Sequence, residues 1–182
     1  MPWRRGGRAG SLQRSKKNVF PRRTFRFSLL SALLILAIFI HQIDFATPEY
    51  DEAVRLRHEV LRRPLGLDFS TEQLAGEYAQ IHLAAYDGAG RLLGYLNLTP
   101  VDAHTLQMRQ VAVAPEHQGR GIGKELVRHS EWLSRQMGVR RIILHARQPA
   151  VAFYEQLAYT TVGEPFEEVT IPHRHMEKQL DG

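Results

Sequence analysis

The chain contains no cysteine. That excludes a disulfide framework, a thiol nucleophile and a thiolate metal site, and it suits a reducing compartment. Acidic residues are absent from the leading segment. The first is Asp44, whereas Arg4, Arg5, Arg8, Arg14, Lys16, Lys17, Arg22, Arg23 and Arg26 stand unopposed before it. Setting those nine aside leaves 15 basic residues against all 19 acidic ones, a formal −4 for the body of a chain whose total is +5. The basic character therefore belongs to the leading segment, and the body gives no electrostatic reason to bind nucleic acid.

Long apolar runs are nearly absent as well. Phe27 to Ile40 is uncharged and, with Ile43, reaches 17 residues interrupted by His41 and Gln42, short of the roughly 20 that a spanning helix needs. As a signal peptide it has a basic lead and a fitting apolar stretch. It lacks a small-x-small cleavage site, because Ile43-Asp44-Phe45 is the wrong chemistry. Three readings of residues 1–37 stay open: a signal-anchor helix, a peripheral basic and apolar anchor, or an extension from a misplaced start codon. There is no methionine between Met1 and Met108, so an internal start would use a non-AUG codon.

From residue 38 to 182 the pattern is that of one domain of mixed secondary structure, large enough for a sizeable core. Phe39 to Phe45 alternates as a strand, and Thr47-Pro48 with Glu49 and Asp51 opens a helix that runs to Arg63-Pro64. Ser70 with Gln73 forms a capping-box pattern for a brief helix. Ile81–Tyr86 and Leu92–Leu98 read as a hairpin around Asp87-Gly88-Ala89-Gly90, with a turn from Pro100 to His104. A strand ending at Val113 follows, then a helix carrying Ile122, Leu126, Leu133 and Met137 with Gly138 at its C-cap. Strands at 141–146 and 159–162 flank a helix around Phe153, and a last strand lies near 169–178. The order β-α-α-β-β-β-α-β-α-β-β implies an α/β (α+β) mixed sheet with helices on both faces.

The chemistry centres on Gln118-Gly119-Arg120-Gly121-Ile122-Gly123, between the Val111-Ala112-Val113 strand and a helix. Glycines let an anion approach the backbone, and first-turn N–H groups point outward unpaired. Arg120 and Lys124 add positive charge. A dinucleotide fingerprint fails because the third glycine comes one residue early. A P-loop fails because Gln118 and Glu125 replace its required glycine and hydroxyl residue.

The Gln-Gly-x-Gly-x-Gly run after a Val-Ala-Val strand resembles the acetyl-CoA pyrophosphate loop of the GNAT N-acetyltransferase superfamily. Pro149 to Tyr159, with its Phe153-Tyr154 pair, resembles the family's second signature, although Gln148 and Ala158 stand where the family often has Asn and Gly. The resemblance implies a mostly antiparallel GNAT-like sheet and transfer of an acetyl group from acetyl-CoA to a primary amine. It places the pantetheine along Val111, Ala112 and Val113, the pyrophosphate on Gln118 to Lys124, and Gln148 beside the cofactor. Tyr154 matches the proton donor to the leaving thiolate. A catalytically weak CoA-binding module of the same fold is the rival reading.

The base is not legible. Gln107, Arg109 and Gln110 occupy the strand where a carboxylate would help, and Glu116 reads as a solvated loop residue. Among His104, His145 and His173, His145 is best placed, bordering the expected acyl site; a water relay is equally open. No metal is expected: His58-Glu59 begins a zinc pattern but Arg62 replaces its second histidine, and His173 and His175 lack a third ligand. A cytoplasmic location follows from the need for acetyl-CoA. A spanning anchor would keep its positive charges cytoplasmic and put the body on the other side, so membrane association enters only if residues 27–43 are native.

Overall fold

The computed structural model describes residues 37–180. The expectations for residues 1–36 lie outside the described residues. Seven strands form one sheet in the order β1-β2-β3-β4-β5-β7-β6. They are β1 (Ile38–Ile43), β2 (Ile81–Asp87), β3 (Leu92–Asp102), β4 (Thr105–Val113), β5 (Arg141–Arg147), β6 (Thr160–Glu168) and β7 (Ile171–Gln179). All neighbours are antiparallel except β4 and β5, which run parallel. The helices are α1 (Pro48–Arg57), α2 (Thr71–Ala75), α3 (Ile122–Gln136) and α4 (Val151–Glu155).

Strand alternation sorts the two faces. Leu83 and Ala85 of β2 join Ile122, Leu126 and Val127 of α3 in the larger core. Ala84 and Tyr86 of the same strand join Tyr50 and Ala53 of α1 in a smaller one on the opposite face. Residues 38–43 pair with β2 along their whole length, from Ile38 opposite Asp87 to Ile43 opposite His82. No helix among the described residues is long and apolar enough to cross a membrane.

Local signals explain most ends. The Thr47 hydroxyl accepts from the Tyr50 N–H at 3.3 Å and opens α1. The Ser70 capping box closes reciprocally, through Ser70 N–H to Gln73 Oε1 at 3.0 Å and Gln73 N–H to Ser70 Oγ at 3.2 Å. Gly138, at φ +77, takes the left-handed position after α3.

Three expectations need correction. The helix from Thr47 does not run unbroken to Pro64: it widens into a π turn at His58–Arg62, tightens into a 3-10 turn at Arg63–Leu65 and ends at left-handed Gly66. Pro100 lies inside β3, and the turn is Ala103-His104. β2 pairs with β3 only as far as Leu98, so beyond that point the missing N–H of Pro100 leaves no partner wanting. β6 extends to Glu168 rather than stopping at Val162, passing Gly163 (φ +70) through a bulge.

The parallel pair makes the functional opening. Thr105–Met108 pairs with Arg141–Leu144 and the pairing stops there, although β4 continues to Val113 and β5 to Arg147. The cause lies on the other edge of β4. Asn97 opposes Arg109 while Tyr95 opposes Ala112, so β4 carries one extra residue, and Gln110 takes φ +57 there. The bulge bends β4 away from β5.

Candidate active site

Two clefts meet across the splayed strands. One is lined by Val111, Val113, Gln118, Gly119, Gly121, Ile122, Gly123 and Lys124, with Phe153 behind them. The other is lined from the α1 side by Leu61 and Arg62, from β4 by residues 107–111, from β5 by His145, Ala146 and Arg147, and from the β6–β7 hairpin by Glu168, Val169 and His173. Val111, Ala150 and Tyr154 line both.

The first cleft presents open backbone at the start of a helix. Gly119 and Gly121 sit at φ +74 and +84, where a side chain would be strained, and a Cβ on either would meet nothing within 4 Å. Gly123 differs: its Cβ would stand 3.4 Å from the Phe153 ring, in contact with α4 rather than in open space. No side chain caps α3, whose first backbone bond is Glu125 N–H to Gly121 O at 3.1 Å. The N–H groups of Ile122, Gly123 and Lys124 precede that bond at the positive end of the helix. Gln118 works by closing the loop, donating its side-chain N–H to the Val113 carbonyl at 3.0 Å. Lys124 Nζ donates to Gln156 Oε1 at 2.9 Å and ties α3 to the end of α4.

Three of the residues singled out from sequence stand elsewhere. Ala112 is buried opposite Tyr95. Arg120 and Gln148 are exposed and line neither cleft.

Tyr154 is 7% exposed, and its hydroxyl has no hydrogen bond among the described residues. The ring packs edge-on against Phe153 and Tyr159. Burial pushes its phenol well above the ordinary range, so it holds its proton at neutral pH.

His145 and Glu168 face each other in the second cleft, Nδ1 to Oε2 at 2.7 Å. Burial alone would raise the Glu168 carboxyl. The hydrogen bond from His145 and the charges of His145, His173 and Arg109 outweigh it, and the group is held below its usual value. An ionised carboxylate only accepts, so His145 Nδ1 carries a proton toward it, and in the neutral imidazole Nε2 is then the acceptor. The neighbouring His175 is lowered by burial and then by His145. Phe166 stacks on His175 at 4.1 Å and packs edge-on to His145.

Glu168 is the residue that sequence reasoning missed. It sits where β6 turns into β7, with Glu168 opposite Ile171 and a two-residue loop of Val169 (φ +46) and Thr170 (φ +64). Such loops ordinarily announce themselves by Asn-Gly or Asp-Gly, and a Val-Thr pair gives no such signal. The strained turn is held at the rim of a cleft, where strain of this kind concentrates.

The α1 side of the cleft is fixed by a buried network. Arg57 Nη1 reaches both Glu77 oxygens, at 2.8 and 2.9 Å, and the Tyr50 hydroxyl donates to Glu77 Oε2 at 2.6 Å. Burial and the Glu77 charge push the Tyr50 phenol up to about 12. Arg147 Nη2 donates to the Leu61 carbonyl at 2.7 Å and ties β5 to the π turn, the irregular helical geometry often found at such sites. No group of His, Asp or Glu among the described residues is placed to hold a metal ion.

Known proteins share part of this sequence and this fold. A Bacillus subtilis (strain 168) protein named as an acetyltransferase is 33% identical over 78 residues, 43% of this chain and 53% of its own length. The chain thus spans about half the length of that relative. Among solved structures, a Lactobacillus plantarum protein assigned as an N-acetyltransferase superimposes with a TM-score of 0.70 at 23% identity, covering 79% of this chain and 99% of the other. An aminoglycoside 6'-N-acetyltransferase complexed with coenzyme A gives 0.64 at 21% identity, covering 79% and 98%. At these identities the likeness is one of fold. The acetyltransferase (GNAT) family model matches residues 42–159, from the end of β1 through the glycine loop to the residue before β6, and on that match the chain belongs to the GNAT acetyltransferase family.

Proposed function

We propose that the chain transfers an acetyl group from acetyl-CoA to a primary amine. The observation that carries this reading is the meeting of the two clefts at Val111, Ala150 and Tyr154. One side offers an uncapped helix end and open glycines for a pyrophosphate. The other offers a histidine with a free nitrogen for an amine. The fold it shares with an aminoglycoside acetyltransferase carrying coenzyme A supports the choice of co-substrate.

The reaction needs a fixed thioester, an amine that has lost its proton, donors for the oxyanion and a proton for the thiolate. The β4 edge left free where β5 departs receives the pantetheine beside Val111 and Val113, and a backbone N–H near Val111 faces the thioester carbonyl. His145 Nε2, oriented by Glu168 at Nδ1, takes a proton from the incoming ammonium. The amine nitrogen then bonds to the acetyl carbon as the carbon–sulfur bond breaks. Tyr154 gives its proton to the departing thiolate, CoA leaves as the thiol, and the second proton shed by the acylated nitrogen returns through water to the Tyr154 phenolate. Burial raises the proton affinity of a thiolate held against the same wall as well as that of the phenol, which narrows the gap the transfer has to cross.

The test is CoA release from the full chain and acetyl-CoA with a panel of primary amines, alongside calorimetry of acetyl-CoA binding. Release that depends on an amine, with acetylated amine recovered, is the expected result. Tight binding with no release on any amine would return the chain to the rival reading, a CoA-binding module of this fold.

A further inference from the structure

The cleft on the α1 side gathers Arg62, Arg109 and Arg147 from three separate elements, and Glu168 is the one carboxylate among its lining residues. Among the described residues, none of these three guanidinium groups joins an ion pair. Elsewhere arginines find acids readily: Arg63 with Glu59, Arg91 with Asp87 and Arg128 with Glu125. A body of formal −4 has acids to spare, so three unpaired arginines in one cleft are not what its composition would give by default.

The three also load one another. Burial lowers the Arg62 guanidinium first, and the charges of Arg109 and Arg57 lower it further. Arg147 is lowered by burial and then by Arg62. Arg62 is held over the Phe69 ring at 4.6 Å, and Arg147 is tied to the Leu61 carbonyl. Arg109 is exposed and makes no side-chain hydrogen bond among the described residues. Packing positions two of these cations; the Glu168 and Glu77 charges offset Arg62 from a distance but less than burial and the neighbouring arginines lower it. Guanidinium forks match the planar oxygen pairs of carboxylate and phosphate.

We propose that the acceptor amine also carries an oxyanion, a carboxylate or a phosphate, which seats against Arg62 and Arg109 while its ammonium faces the His145–Glu168 pair. The cleft then offers each end of such an acceptor a group of opposite sign. The proposal rests on the acetyl-transfer reading and narrows it to a substrate class.

Matched acceptors test it: a series of ω-amino carboxylates with their carboxamides, and aminoalkyl phosphates with their alcohols. CoA release and equilibrium binding are both followed. Charge-assisted hydrogen bonds contribute about 1.5–3 kcal/mol, so the charged member of the best pair should lead by about tenfold or more in kcat/KM, chiefly through KM. Arg109→Gln should cut that lead at least severalfold, and Arg62→Gln should do the same if Arg109 proves peripheral. Whichever charged series leads assigns the oxyanion. Equal kcat/KM within every pair, or a lead for the neutral members, overturns the proposal and leaves acetyl transfer standing. If no amine releases CoA, acetyl transfer fails instead. Calorimetry then decides by itself, since charged ligands should bind wild type more tightly than their neutral partners and lose that margin when Arg62→Gln and Arg109→Gln are combined. No margin in wild type overturns the proposal.

Discussion

Tyr154 and Glu168 carry the argument at the scale of single residues. Tyr154 is buried among rings, yet it lines both clefts and its hydroxyl has no hydrogen-bond partner among the described residues. Tyr154→Phe keeps the packing and deletes the donor. General acid catalysis is typically worth about a hundredfold to ten-thousandfold, so turnover should fall at least about tenfold with acetyl-CoA affinity nearly unchanged. The loss should shrink with donors whose thiol is more acidic. Wild-type turnover in the folded variant, with chemistry limiting the rate, would return Tyr154 to the core. Glu168 supports a second prediction, in pH. Its folded value lies below the unfolded one, so its contribution to stability is present above the unfolded carboxylate range, near 4.3, and is lost as pH falls through the lower folded value. Denaturation of Glu168→Gln between pH 6 and 3 should therefore show a shallower loss of stability on acidification than wild type. Parallel curves would mean that the carboxylate gains nothing from His145.

At the scale of elements, the loop and the start of α3 make a sharper case than any side chain. Gly121→Glu places a like charge at the expected phosphate position and also puts an L-residue at φ +84, a strain of roughly 1–2 kcal/mol. Gly121→Ala carries the strain without the charge or the reach. Calorimetry should find acetyl-CoA binding abolished in the first and only weakened in the second; equal affinity in both would remove the pyrophosphate from this loop. This element was legible because its chemistry is local: glycines, a strand before and a helix after. So was Ala158, whose departure from the family's usual Gly is visible in the fold as an alanine held at φ +64 after α4. The acceptor side was not legible. Arg62 reaches the cleft through a π turn that no periodicity announces, and Glu168 through a Val-Thr turn without turn residues. Arg109 was visible on its strand, but its meaning depends on a bulge at Gln110 and on partners more than thirty residues away.

For the molecule as a whole, the question is what the basic leading segment does for the body. β1 is an edge strand bound along its length to β2, and its last residue, Ile43, is buried in the core beneath α1. Phe39 and Ile38 remain well exposed at the other end. Both clefts are built from residue 60 onward, on the opposite side of the sheet order from β1. A chain beginning at Ala37 therefore keeps every described strand and every residue that lines either cleft. It also trades a formal +5 for −4, and a net charge of that size favours solubility. Such a chain should be monodisperse without detergent, bind acetyl-CoA as tightly as the full chain and release CoA from the best amine at the same rate. Sedimentation and calorimetry on the two forms, side by side, read this directly. Aggregation of the shorter form, against good behaviour of the full chain in detergent, would make residues 1–36 a working part of the protein and bring the membrane reading forward.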